Sequence, residues 1–201
     1  IINPTPSLFT FNIPNSPFKG LEGVATEVTL TLPGYNRTEQ GPLLITHWGL
    51  SGPVVLRMSA WAAAWLNQQN YLTEVSINFL PGFNHTKALE KFAENKNLYA
   101  RTNVATNKFF TNIPNRLWER LIDYGNIDKQ TQYAQLSKKK INTLINLLVD
   151  FRVKMNGKTT FKEEFVTCGG VHLTEINMKT MESKIINNLF FAGEVINGQQ
   201  P

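Results

Sequence analysis

A single cysteine, Cys168, stands in the whole chain, so there is no disulfide framework and no multi-cysteine zinc site, and a reducing, cytoplasmic setting is expected. Long hydrophobic runs are missing as well. The longest candidate, residues 54–66, is interrupted by Arg57 and closed by Asn67, short of the ~18 residues that span a membrane. Charge is sparse, at 17% of residues against 42% apolar and 11% aromatic, which excludes a disordered chain. The sequence has no G-x-G-x-x-G, no P-loop, no G-x-S-x-G elbow and no H-E-x-x-H. His47, His85 and His172 lie far apart and share no ligand spacing, so no metal site is expected.

What is present is enough apolar material, including 13 Phe, for one large domain or two small ones. The net charge of +5 is unevenly placed: residues 84–150 hold 11 basic and 6 acidic side chains, and the remainder is balanced. The densest run is Lys138-Lys139-Lys140. It lacks interleaved aromatics, so a solvated helical face is the expected role and nucleic acid is not the expected partner. A second reading stays open: a non-enzymatic binding module whose basic helical block meets an acidic partner.

Periodicity divides the chain in three. Residues 1–50 read as strands and turns, with 24–32 alternating in polarity and rich in β-branched residues before Pro33-Gly34. A helix is expected from Pro53 to Leu66, capped by Ser51, with Val54, Met58, Trp61 and Trp65 on one stripe. Residues 73–79 alternate like a strand. From 84 to 150 the pattern turns helical, over 86–97, from Pro114 onward, and after a Ser137 cap. Strand patterning returns at 151–155 and 161–168, with Asn156-Gly157 between them as a tight turn. The expected architecture is α+β: a small closed β-barrel formed by both halves of the chain (1–83 and 151–190), carrying an inserted helical bundle (84–150), with 191–201 leading elsewhere.

Two segments carry possible chemistry. In Gly41-Pro-Leu-Leu-Ile-Thr-His-Trp-Gly-Leu-Ser-Gly-Pro53 a buried strand runs through Thr46-His47 into a Gly-rich turn and a helix start. Its glycines either admit a ligand close to the backbone or merely make the bend. In the second, Thr167-Cys168-Gly169-Gly170-Val171 precedes Leu189-Phe-Phe-Ala-Gly-Glu194, which reads as a strand entering a turn. There the Gly pair marks a turn or a ligand on bare backbone, and Glu194 is a candidate acceptor for a hydroxylated ligand.

With Thr180-Met-Glu-Ser-Lys184 and Pro6-Ser7-Leu8, these motifs stand in an order that resembles the bacterial FAD-dependent oxidoreductases of the aminoacetone-oxidase-like and 3-dehydro-bile-acid-reductase-like group. The resemblance implies an insert that covers the flavin and shapes the access of a small-molecule substrate, in a longer chain whose Rossmann domain binds FAD. It implies that Gly193 and Glu194 contact FAD, and that Thr167, Gly169 and Gly170 face the flavin. Thr46, His47 and Ser51 would lie near the domain junction, with His47 the one candidate for a catalytic, substrate-side polar group. By this reading the chain is a fragment whose partner is the FAD-binding domain of the same protein; alone it would be inactive and would not keep FAD bound. Cys168 would be a packing residue.

Overall fold

Alternation of apolar and polar residues builds the strands, and 3.6-residue periodicity the helices. The computed structural model describes residues 1–159 and 166–197. In chain order these form β1 (Ile2–Ser7), β2 (Thr10–Asn12), β3 (Ala25–Leu32), β4 (Arg37–Ile45), β5 (Gly49–Ser51), α1 (Pro53–Trp61), α2 (Ala63–Gln68), β6 (Leu72–Asn78), α3 (His85–Lys96) and α4 (Asn115–Tyr124). Then come α5 (Lys138–Val149), β7 (Phe151–Asn156), β8 (Lys158–Thr159), β9 (Val166–Gly170), β10 (Ile176–Asn177) and β11 (Glu182–Ser183). Seven strands make one antiparallel sheet in the order β7-β6-β3-β4-β5-β2-β8, while β1 pairs with β9 and β10 with β11. Val28 faces Gly41 across β3–β4 and Val75 faces Val153 across β6–β7, which sets the register of the inward residues.

The closed barrel expected from the sequence does not form. Among the described residues no ladder joins β7 to β8, so these two strands are the edges of an open sheet. The expected hairpin turn at Asn156-Gly157 instead links the two edges: Gly157, at φ 92°, sends the chain from β7 into β8, and β8 pairs with β2. At that turn Gly157 accepts from the Asn12 N–H at 3.1 Å and donates to the Tyr71 carbonyl at 3.0 Å. Of the strand expected over 161–168, residues 161–165 lie outside the described residues; the rest falls in β9.

The helical bundle is corrected too. α3 and α4 pack on α5, which itself lies on β6 and β7, with the Phe79 N–H donating to the Leu148 carbonyl at 2.8 Å. The irregular stretches 97–114 and 125–137 add to the core that the helices supply, through Val104, Phe110, Ile113, Ile127, Tyr133 and Leu136. Trp118 donates its indole N–H to the Val104 carbonyl at 2.8 Å, and the Tyr133 hydroxyl donates to Asn107 at 2.6 Å. Burial, with Tyr99 adding to it, pushes the Tyr133 phenol far above its usual range, so it stays a neutral donor. One continuous apolar core joins sheet and helices. Phe18, Phe79 and Phe151 meet at its centre, with ring centroids 5.0 to 6.1 Å apart.

Local caps follow the sequence in part. Ser137 accepts from the Lys140 N–H at 3.3 Å and Asn84 from the Lys87 N–H at 2.9 Å. The helix expected over 53–66 breaks at Ala62 into α1 and α2, and Trp61 is left 47% exposed under the Arg37 guanidinium, 4.1 Å from its ring centre. Ser51 is not the cap of α1. It pairs with Leu44 in β5, and Gly52, at φ 96°, holds the cap position. Three lysines fill the first turn of α5, with no acid there to complement the helix dipole. Cations at that end cost roughly 0.3–1 kcal/mol each.

Candidate functional site

The turn that carries His47 borders a cleft of about 480 Å³, walled by Asn12, Ser16, Lys19, Glu22, His47 and Trp48 among others. Thr46 closes the turn on one side: its N–H donates to the Gly49 carbonyl at 2.9 Å, and its hydroxyl accepts from the Gly49 N–H at 3.2 Å. Trp48 is pinned from behind, its indole N–H donating to the Thr10 hydroxyl at 3.1 Å. His47 therefore projects from a rigid turn; its ring Nδ1 lies 3.9 Å from Glu22, and the side chain is mostly exposed.

The opposite wall is the loop 13–24, and α4 holds it. Arg116 donates to the Gly20 carbonyl, and Arg120 to the Pro17 carbonyl at 2.7 Å. Inside the loop, Glu22 accepts from the Gly20 N–H at 2.9 Å. Bonds from the Gly20 and Glu22 amides keep this carboxyl below its usual 4.5, and the attraction of His47 and Arg116 adds to the shift. A depressed carboxylate pKa means that the tether is complete above the unfolded value and is lost as pH falls through the folded one. Exchange protection of the Gly20 amide, corrected for intrinsic rate, is thus expected to hold down to about pH 4.5 and to drop below it. Glu22→Gln should abolish that step; an unchanged profile would show that the carboxylate does not hold the loop.

The second segment forms a smaller cavity of about 180 Å³ between β9 and the 3-10 turn 193–195, lined by Ser7, Thr167, Cys168, Gly169, Glu194 and Asn197 among others. Thr167, Gly169 and Glu194 are thus brought together in one cavity. Gly170 and Gly193 are not in the lining, and Thr46 and His47 border the other cleft. Cys168, half-buried, is hydrogen-bonded to the Thr5 hydroxyl at 2.7 Å. The segment 189–194 does not form the expected strand: Phe190 makes an isolated bridge to Glu182 and stays 59% exposed.

The glycines of both motifs answer to the chain itself. A Cβ on Gly49 would sit 2.2 Å from the Phe11 carbonyl oxygen, and one on Gly52 2.7 Å from that of Pro42. On Gly169 it would meet Asn3, and on Gly170 the Val195 carbonyl oxygen at 2.2 Å. The glycines of the first motif therefore make a bend, and those of the second end β9, both packed on neighbouring backbone. At about 180 Å³ the smaller cavity lies below the ~300–1,000 Å³ of ligand cavities, and the glycines beside it pack against the chain's own backbone.

Sequence reasoning missed the loop wall. The residues Asn12, Ser16, Lys19 and Glu22, and the arginines of α4 that anchor them, carry no motif. The only signal was the Pro and Gly punctuation of 14–23, which marks a loop without saying what lies across from it.

The match to known proteins defines the class. Residues 5–166 fit the family described as HI0933-like protein barrel and H2TH domain, and the chain belongs to that family. Among curated relatives, the ribosomal RNA dihydrouridine synthase of Escherichia coli is 37% identical over 155 residues, covering 77% of this chain and 36% of the relative. The synthase of the same name from Haemophilus influenzae is 29% identical over 199 residues, 98% of this chain and 46% of the relative. The 3-dehydro-bile acid delta(4,6)-reductase of Clostridium scindens is 25% identical over 195 residues, 95% and 47% of the two chains. The chain thus spans less than half the length of each of these relatives. No helix among the described residues is long and apolar enough to cross a membrane.

Proposed function

We propose that this chain is the substrate-side part of a flavin-dependent reductase that saturates a ring C=C bond conjugated to a carbonyl, and that its substrate is a uracil base in RNA. The observation that carries the reading is the 37% and 29% identity to two ribosomal RNA dihydrouridine synthases, against 25% to the steroid reductase. Dihydrouridine is uridine with its C5=C6 bond saturated, and a delta(4,6)-reductase likewise saturates ring double bonds, so the relatives share a chemistry and differ in substrate. The basic surplus of residues 84–150 favours the polyanionic substrate.

The flavin supplies the hydride chemistry, and its binding domain is the proposed partner of this chain. The work assigned to this chain is positioning. The cleft by His47 presents an imidazole, the Lys19 ammonium and the Asn12 amide beside the pinned Trp48, a set suited to a planar, carbonyl-bearing ring. His47, on its fixed turn with Glu22 beside it, is the proposed proton donor or hydrogen-bond donor to the substrate carbonyl. Thr167, Gly169, Gly170, Gly193 and Glu194 are proposed to border the flavin domain.

The test is reduction by the complete protein that contains this chain, supplied with a reduced nicotinamide and unmodified ribosomal RNA or, separately, a steroid dienone. A two-hydrogen mass gain in the RNA nucleosides, lost or greatly slowed in His47→Ala, supports the proposal. A yellow protein that reduces only the steroid overturns the RNA assignment, and a colourless protein inert toward both overturns the flavin reading as well.

A further inference from the structure

The three lysines at the start of α5 do not act as one exposed run. Lys140 folds back and donates its ammonium to the carbonyls of Gly125, at 3.2 Å, and Asn126, where α4 ends. Lys96, in the last turn of α3, donates to the Leu136 carbonyl at 3.3 Å, one residue before the Ser137 cap of α5. The end of α3 and the end of α4 are therefore both tied to the start of α5, each by a lysine. Around that junction Lys138 and Lys139 stay exposed, and neither forms an ion pair among the described residues. The nearby acid on α4, Asp123, is already bridged to Lys129 at 3.2 Å. Asp128, on the loop between, holds the Gln130 amide at 2.7 Å.

We infer that this junction is a docking surface for the phosphodiester backbone of RNA, with Lys138 and Lys139 contacting phosphates and Lys96 and Lys140 fixing the frame that presents them. Charge complementarity argues for that occupant. Residues 84–150 carry 11 basic side chains against 6 acidic, and Lys138 and Lys139 stand exposed where α5 has no acid in its first turn. Of the run Lys138-Lys139-Lys140, the fold turns Lys140 inward, with Lys96 of α3, to hold the frame and leaves Lys138 and Lys139 exposed. The inference rests on the RNA reading above and assigns the backbone contact rather than base recognition.

The test is fluorescence anisotropy of a labelled hairpin RNA with the full 201-residue chain, across about 50 to 200 mM salt, with circular dichroism to check folding. Lys138→Glu with Lys139→Glu is expected to weaken binding about tenfold or more and to flatten the salt slope by about 1.4, at ~0.7 per lost contact on a single strand. The comparison pair is Lys87→Glu with Lys91→Glu, the same charge change nearer the start of α3, about 13 and 8 Å along the helix from Lys96 at ~1.5 Å of rise per residue. A clearly smaller effect from that pair supports the inference. Equal effects of the two pairs, or no RNA binding by the unaltered chain at low salt, overturn it. If RNA reduction by the complete protein occurs while the Lys138 and Lys139 changes do nothing, the surface is wrong and the enzymatic reading stands. Patch-dependent binding without reduction supports the surface and overturns the enzyme.

Discussion

Gly49→Ala is expected to lower the unfolding midpoint by roughly 6–12 °C, about 3 kcal/mol for a chain of this size. The new Cβ would sit 2.2 Å from the Phe11 carbonyl oxygen and 2.7 Å from the Ile13 amide nitrogen, and both are main-chain atoms that cannot swing aside. The position also has φ 151°, which side-chain-bearing residues rarely adopt. Relief would require β5 to part from β2, pulling on the Ile13 N–H bond to the Trp48 carbonyl and on the turn that holds His47. Gly193→Ala makes the comparison. Its φ is 74°, but nothing lies within 4 Å of the added Cβ, so only the ~1 kcal/mol backbone term remains. A large loss at Gly49 beside a small one at Gly193, in thermal or urea unfolding, identifies the first motif's glycine as a structural requirement. Comparable losses would mean that the contact with β2 does not govern the turn.

Trp118→Ala is expected to destabilise the chain by about 3–5 kcal/mol, the range for deleting a buried aromatic. Trp118 is 1% exposed and does two things. Its ring fills the space between α4 and the irregular stretch 97–114, touching Phe110 at 6.5 Å between centroids, and its N–H satisfies the Val104 carbonyl. Trp118→Phe keeps most of the volume and loses the bond, so about 1–3 kcal/mol should remain as its cost. The difference between the two variants separates packing from hydrogen bonding. α4 also carries Arg116 and Arg120, so loosening it frees the 13–24 loop. Trp118→Ala should therefore raise proteolytic cleavage in that loop before it affects β3 or β4. Cleavage spread evenly over the chain would show that α4 does not control the cleft wall.

The two cavities make different demands on chemistry. The smaller one uses its glycines to seat β9 on β1 and on the 193–195 turn. The larger one is open, polar, and built from a fixed turn and a tethered loop, the arrangement expected where a substrate must be held while another part of a protein reacts with it.

Much of the local structure was legible from the residues alone. The alternation of 24–32 became β3, the Ser137 cap and its apolar stripe became α5, and the ordered motifs resemble those of flavin-dependent oxidoreductases. These features depend on neighbours within a few residues, where period and capping chemistry act directly. Only the tertiary structure decided that the sheet stays open, because closure depends on whether β8 meets β7 or β2, strands whose pairing is set by the twist of the whole sheet. It also decided that the motif glycines answer to Phe11, Pro42 and Val195, that Arg116 and Arg120 hold a loop about a hundred positions away, and that Lys140 belongs to the end of α4. Each is a contact between residues distant in sequence, and residue type alone carries no record of the backbone that will stand opposite.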